Sequence, residues 1–174
     1  MDVYIERFDP APALLVLGAG HVGAATARLA RTVGFEVTVA DARADWNHPD
    51  RLPDPIRRAV GAPLDAVGAA SARATDAALV CTHDHDLDKR LLSAALRRGF
   101  GYVGMIGSTR KVARAVDHLR LDGHDEAAIA AVHMPVGLDL AAETPEEIAV
   151  AIVGELVRWR RAPTSRKTTR GATV

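Results

Sequence analysis

The stretch that decides the fold is Ala13-Leu14-Leu15-Val16-Leu17-Gly18-Ala19-Gly20-His21-Val22-Gly23, an apolar run that leads directly into a glycine-rich turn. Five consecutive apolar residues are typical of a parallel strand that is buried on both faces. A G-x-G-x-x-G turn between such a strand and a helix indicates a dinucleotide-binding βαβ unit. In this pattern Gly18 permits the tight turn, Gly20 lets a pyrophosphate approach backbone N–H groups, and Gly23 lets helix and strand pack closely.

The segment after the first predicted helix supports the same interpretation. Glu36 to Ala40 contains β-branched residues in alternation and ends at Asp41, which lies 18 residues after Gly23, so it predicts a second strand. A carboxylate at this position can accept hydrogen bonds from ribose hydroxyls and disfavours a 2′-phosphate. Arg43 nearby leaves NADP open beside NAD. The alternative is a structural turn that binds no ligand.

Residues at the start of the first helix complete the predicted phosphate site. His21 and Val22 follow Gly20 directly, in the first turn of the predicted helix. Because a helix N-terminus carries partial positive charge and free N–H groups, it favours a phosphate.

Strands and helices continue to alternate along the chain, which predicts an α/β fold. We expect a single domain with a Rossmann-like, mostly parallel sheet and helices on both faces. Four prolines weaken the pattern over 43–73, where one short strand is expected near Arg58–Val60. Two further strands are predicted at 77–81 and 102–106. Four helices are also predicted: one that ends at Gly99, one over 109–121, one over 125–132, and one that begins with a capping box at Thr144.

Composition narrows the class of protein. The 174 residues have 48% hydrophobic content and zero net charge, which argues against general attraction to nucleic acid or anionic membrane. The single cysteine, Cys81, excludes a disulfide within the chain and a multi-cysteine zinc site, and we expect an inert core thiol. Without a signal segment or an apolar run of roughly 18 residues, we predict a cytoplasmic protein. We expect a leader over 1–12, the domain over 13–161, and a disordered basic tail over 162–174.

A second turn with polar side chains follows the strand at 77–81. Thr82, His83 and Asp84 are expected at the carboxyl edge of the sheet, where open α/β sheets bind ligands. They are therefore predicted to contact a ligand. Asp84 acting only as a helix cap is the main alternative. A metal site is disfavoured, because the spacing of His83, His85 and the neighbouring acids does not match a known zinc pattern.

A third turn, within Gly104–Lys111, is predicted to bind an anion. Gly107 and Ser108 offer backbone amides and a hydroxyl, and Arg110 and Lys111 add two cations. Basic residues at a helix N-terminus oppose the helix dipole, so they favour an anionic partner. The alternative is a solvated basic first turn.

Taken in order, these motifs resemble the C-terminal Rossmann-like domain of the XdhC/CoxI family of xanthine dehydrogenase accessory proteins. The resemblance covers 13–161 and rests on GAGHVG (18–23), Asp41, THDHDLD (82–88), GMIGSTRK (104–111) and PVGLDL with TPEEIAVAI (135–152). It implies a maturation factor for molybdenum hydroxylases such as xanthine or carbon monoxide dehydrogenase. Such proteins bind the molybdenum cofactor, as molybdopterin or its dinucleotide form, and help its sulfuration and insertion into the apoenzyme.

The resemblance also implies partners. These are a molybdenum hydroxylase apoenzyme and a separate subunit with the N-terminal cysteine-bearing domain that family members commonly carry. We also expect a homodimer. Thr109 and Ala141 depart from residues usual in the family. The alternatives to a non-catalytic chaperone are an NAD(P)-dependent oxidoreductase, with His83 or His85 as acid or base, and a dinucleotide-sensing module.

Overall fold

Five strands form one parallel sheet. The structure is a computed structural model and describes residues 10–162. The strands are β1 (Ala13–Leu17), β2 (Glu36–Asp41), β3 (Arg57–Val60), β4 (Ala77–Val80) and β5 (Tyr102–Met105). They lie in the order β3-β2-β1-β4-β5, and every neighbouring pair is parallel. The direction of strand order therefore reverses between β1 and β4, where α/β sheets bind their ligands.

Helices cover both faces of this sheet. They are α1 (His21–Thr32), α2 (Pro63–Ala69), α3 (His85–Arg98), α4 (Thr109–Leu121), α5 (Glu126–Ala130) and α6 (Pro145–Arg161). Leu14 and Val16 of β1 belong to the apolar cluster that includes α1 and α6. Leu15 and Leu17 of the same strand belong to the cluster that includes α2, α3 and α4. This alternation, with burial on both faces, explains the continuous apolar run and confirms the predicted Rossmann-like fold.

The helix ends predicted at Gly99 and Thr144 are confirmed. Gly34 and Gly99 follow α1 and α3 with φ of +88° each, the left-handed conformation that glycine adopts readily. Thr144 and Glu147 form the predicted capping box of α6. The short strand expected near Arg58–Val60 is β3. The proline-rich segment also contains α2, which the pattern did not predict.

Parts of the predicted domain boundaries fall outside the described residues. Of the leader predicted over 1–12, residues 1–9 are outside, and of the tail predicted over 162–174, residues 163–174 are outside. Both assignments stay predictions. Between residues 10 and 162, none of the helices combines the length and the hydropathy that a membrane span requires.

Candidate cofactor-binding site

The glycine turn after β1 has two glycines that packing requires and one that faces open space. Gly18 has φ +122°, and a Cβ there would lie 2.6 Å from the carbonyl oxygen of Cys81. A Cβ on Gly23 would overlap the carbonyl oxygen of Gly18. A Cβ on Gly20 would meet no atom within 4 Å. The turn thus needs Gly18 and Gly23 for its shape, while Gly20 leaves its backbone open to an approaching group.

Asp41, at the end of β2, is saturated by donors of the protein itself. One carboxylate oxygen accepts from Ala19 N and Arg43 Nη2 at 2.8 and 2.7 Å, and the other accepts from Arg43 N and Nε at 2.9 Å each. Burial alone raises its pKa, but the Arg43 side chain and the two backbone donors lower it to about 2. Asp41 therefore ties the glycine turn to Arg43. The hydrogen bonds expected from a ribose stay a prediction.

A wide cleft lies beside this turn, at the carboxyl end of β5. Its volume is about 1130 Å³. Val22 of α1 forms part of its wall, and so do His85 of α3 and Ser108 at the start of α4. The remaining wall comes from the first turns of α3 and α4, from the segment 135–142, and from Ile148 and Ala151 of α6. The cleft therefore lies next to the reversal point of the sheet, where the predicted site was expected.

The first turns of α4 place exposed cations at the cleft. Ser108 caps the helix, since its hydroxyl accepts from Lys111 N at 3.4 Å. Arg110 and Arg114 are exposed and line the cleft, as does Gly107. Neither arginine forms an ion pair within the part of the chain that the structure describes. This edge of the cleft can therefore bind an anion.

Lys111 differs from its neighbours, because a buried carboxylate already binds it. Its ammonium lies 2.5 Å from Oδ2 of Asp88, whose side chain is fully buried. Oδ1 of Asp88 accepts from Thr82 N at 3.1 Å and from Thr82 Oγ1 at 2.7 Å. The anionic partner predicted for Lys111 is thus, in the structure, a carboxylate of the protein. The network joins the ends of β4, α3 and α4 and fixes one wall of the cleft.

The histidine- and aspartate-rich turn mainly organises α3. The carboxylate of Asp84 caps this helix by accepting from Asp86 N and Leu87 N at 2.9 and 3.1 Å. His83 is exposed and does not line the cleft, whereas Thr82 and His85 do. Within residues 10–162, no group of three or more histidine, cysteine, aspartate or glutamate side chains could hold a metal ion.

The segment after α5 forms the opposite wall and is held by α6. His133 extends the sheet beside β5, since it donates to Val103 O at 2.9 Å and accepts from Met105 N at 3.0 Å. The buried Glu155 of α6 binds His133 Nδ1 and accepts from Gly137 N, each at 2.5 Å. These contacts position the segment 135–142 over the cleft.

The predicted site residues thus separate into two groups. The cleft wall contains Val22, Thr82, Gly107, Ser108, Arg110 and Lys111. Outside that wall lie Gly18, Gly20, His21, Gly23, Asp41, Arg43, His83 and Asp84. Asp88 and residues 135–140 lie in motifs that carry the family resemblance, but neither they nor Lys89 and Arg114 were predicted as site residues. Asp88 carries a weak signal, as an acid in the first turn of the helix that follows the polar turn Thr82–Asp84.

Comparisons with known proteins agree with this architecture. The XdhC Rossmann domain family matches residues 14–156. The Escherichia coli K12 protein YqeB is 33% identical over 162 residues, which cover 91% of this chain and 29% of YqeB. A protein of Bacillus subtilis 168, named as a probable subunit of xanthine dehydrogenase, is 29% identical over 160 residues, which cover 92% of this chain and 46% of that protein.

A solved structure is similar as well. The crystal structure of a xanthine dehydrogenase from Bacillus halodurans superposes with a TM-score of 0.76 at 30% identity, over 87% of this chain and 45% of that one. This chain therefore spans less than half the length of these relatives. Because the family match extends over most of the chain and the fold and motifs agree with it, the chain belongs to the XdhC Rossmann domain family.

Proposed function

We propose that this chain is an accessory protein that binds the molybdenum cofactor for the maturation of a molybdenum hydroxylase such as xanthine or carbon monoxide dehydrogenase. A role in the xanthine dehydrogenase system is supported by membership of the XdhC family and by the relatives named as xanthine dehydrogenase proteins. The observation that best supports cofactor binding is the cleft of about 1130 Å³ between an apolar wall and the cationic start of α4. Its volume is slightly above the roughly 300–1,000 Å³ of typical small-molecule sites, so the cleft is large enough for a cofactor.

The residues present fit a phosphorylated pterin. Ile106, Val136 and Leu138 offer an apolar surface for a flat ring system. Arg110 and Arg114 offer guanidinium groups for the terminal phosphate of molybdopterin, or for the pyrophosphate of its dinucleotide form. When bound to its client enzyme, the cofactor supplies the redox chemistry of molybdenum. The role of this chain is to bind the cofactor for its insertion into that enzyme.

The partners follow from the same proposal. The client is a molybdenum hydroxylase apoenzyme in the cytoplasm. Because the chain spans only 29% and 46% of its two curated relatives, a further protein or segment with the cysteine-bearing domain is expected to act with it. A homodimer would close the open side of the cleft.

The test is a calorimetric titration of the purified protein with molybdopterin under anaerobic conditions, with NAD and NADP as parallel ligands. We expect one molybdopterin to bind per chain. The double variant Arg110→Ala/Arg114→Ala should weaken binding about tenfold or more, since hydrogen bonds between charged groups contribute roughly 1.5–3 kcal/mol each.

A matched control removes the same charge elsewhere. Arg57 and Arg90 are exposed and lie outside the cleft, so Arg57→Ala/Arg90→Ala should bind molybdopterin as the wild type does. Wild-type protein that binds a nicotinamide dinucleotide but no molybdopterin would overturn the proposal and favour the oxidoreductase or sensing alternative. Equal losses in both double variants would also contradict it, because they would indicate general charge attraction.

A further inference from the structure

We propose a second binding site beside the glycine turn, formed by Arg43, Trp46 and Arg51, that takes the phosphorylated ribose of a nucleotide. None of these three residues lines the cleft proposed for the pterin. The inference is therefore independent of cofactor binding there, and it stands or falls by itself.

The site is a stack of two guanidinium groups on one indole ring. The central guanidinium carbons of Arg43 and Arg51 lie 4.8 and 4.4 Å from the centroid of the Trp46 ring. The ring of His21, at the start of α1, meets the same indole edge-on at 5.1 Å. Such cation–π contacts hold guanidinium planes in fixed orientations. Two cations are thus held together next to a partly buried aromatic ring.

Arg51 connects this stack to the glycine turn. Its Nη2 lies 3.4 Å from the carbonyl oxygen of Ala19, within the turn itself. Its Nε is buried and has no hydrogen-bond partner among residues 10–162. No carboxylate in that range forms an ion pair with Arg51. A guanidinium that is stacked on an aromatic ring and has no acidic partner among these residues favours an anionic ligand.

The loop that carries the stack is fixed before any ligand binds. Asn47 is 3% exposed, and its side-chain amide donates to Val39 O at 3.2 Å and to Ala59 O at 2.9 Å. Leu52 is fully buried in the core. Arg28 of α1 donates to the carbonyl oxygen of Arg51 at 3.0 Å. Because three anchors hold the loop between Arg43 and Leu52, binding would need little reordering of this segment.

The hydrogen bonds that Asp41 already accepts favour a ribose with a 2′-phosphate over one with a free 2′-hydroxyl. A free carboxylate at the end of β2 would accept hydrogen bonds from a ribose 2′-hydroxyl, whereas an arginine there accommodates a 2′-phosphate. Both oxygens of Asp41 already accept two hydrogen bonds each, so Asp41 acts as a positioning residue for Arg43. A third of the Arg43 side chain remains exposed. The accessible groups are therefore donors, namely the exposed part of the Arg43 guanidinium that Asp41 neutralises and the guanidinium of Arg51, which favours a phosphate on the ribose.

The test compares two small nucleotides that differ by one phosphate. The full chain is titrated calorimetrically with adenosine 2′,5′-bisphosphate and with adenosine 5′-monophosphate. We expect the bisphosphate to bind at least about tenfold more tightly, because the 2′-phosphate gains charge-assisted hydrogen bonds. Arg51→Ala should abolish this preference and leave the weaker affinity for the monophosphate.

Two further variants serve as controls for Arg51→Ala. Arg57→Ala removes an exposed arginine from β3, and it should keep the tenfold preference. Lysine at position 51 (Arg51→Lys) retains the charge without the planar fork, and it should restore only part of the preference. Equal wild-type affinity for the two nucleotides would overturn the proposal. A preference that survives Arg51→Ala in a protein with unchanged circular dichroism and urea midpoint would overturn it as well.

Discussion

The carboxylate of Asp88 is fully buried beside the cleft, and its partners lie on α4 and in the turn after β4. It binds Lys111 Nζ at 2.5 Å and both donors of Thr82. Asp88→Asn removes the charge and leaves the largely buried ammonium of Lys111 without its counterion. Because breaking a buried pair typically costs about 3–5 kcal/mol, we expect a loss of at least about 2 kcal/mol in the free energy of unfolding, measured with urea.

The neighbouring Asp86 provides the matched control on the same helix. Its side chain is 87% exposed and pairs with Lys89 at 2.6 Å. Asp86→Asn should destabilise the protein far less than Asp88→Asn does, because exposed ion pairs contribute little to stability. Similar losses in the two variants would contradict a special role for Asp88. The double variant Asp88→Asn/Lys111→Met should recover part of the stability lost by Asp88→Asn.

The depressed pKa of Asp41 predicts how stability changes in acid. Its folded-state pKa is about 2, below the ordinary value of 3.8, so the unfolded chain takes up a proton first as the pH falls. The stabilisation is complete above about pH 4 and is lost between about pH 4 and pH 2. One pKa unit corresponds to about 1.4 kcal/mol, so the drop from 3.8 to about 2 contributes about 2–3 kcal/mol.

Urea unfolding as a function of pH measures this contribution. Asp41→Asn should be less stable than the wild type at pH 7, and the difference should shrink as the pH falls from 4 to 2. A difference that stays constant over this range would show that the carboxylate charge has no such role. Asp45 is an exposed aspartate in the loop after β2, so Asp45→Asn should lose stability between pH 4 and pH 2 as the wild type does.

At the scale of elements, the strand–turn–helix unit of β1 and α1 separates packing from ligand access. Gly23→Ala would push a methyl group into the carbonyl oxygen of Gly18, so we expect a loss of several kcal/mol or no folded protein. In Gly20→Ala the added methyl group would point into open space, and the backbone there is extended. This substitution should therefore change the free energy of unfolding by less than about 1 kcal/mol. If a phosphate approaches the turn, Gly20→Ala should still weaken nucleotide binding severalfold.

Thermal unfolding measures the stability of the two variants, and nucleotide titration measures the affinity of each folded variant. Unchanged nucleotide affinity in a folded Gly20→Ala protein would mean that Gly20 has no ligand role. Equal destabilisation by the two substitutions would contradict the packing observed at Gly23.

Elements were largely predictable because their signals are local. The apolar run at β1, the left-handed Gly99 after α3 and the capping box at Thr144 each act within a few residues of their own position. The helix α2 was not predictable in the same way. It has seven residues and starts at Pro63 in a proline-rich segment, so its short apolar pattern has no clear period.

The site was less predictable, because it depends on contacts distant in sequence. Asp88 and Lys111 are 23 residues apart, and Arg51 meets Ala19 across 32 residues. No periodicity or motif connects such pairs. The turn at Gly107–Lys111 was found by its composition, but only the folded chain shows that Lys111 is already paired while Arg110 and Arg114 line the cleft.

For the whole molecule, the two proposed sites lie on either side of the glycine turn and share no wall residue, so their ligands should bind independently. A ligand at about 100 times its Kd stabilises the folded state by about 2.7 kcal/mol. For a chain of this length that raises the Tm by roughly 5–10 °C. Molybdopterin and adenosine 2′,5′-bisphosphate should therefore give Tm increases that add when both are present.

Differential scanning calorimetry with each ligand and with both distinguishes two sites from one. Arg51→Ala should reduce the nucleotide shift and keep the molybdopterin shift, whereas Arg110→Ala/Arg114→Ala should do the reverse. A combined shift no larger than the greater single shift would mean that the ligands compete, and the glycine turn and the cleft would then form one continuous site. In that case a single dinucleotide ligand would span both, with its pterin against Val136 and its ribose at Trp46.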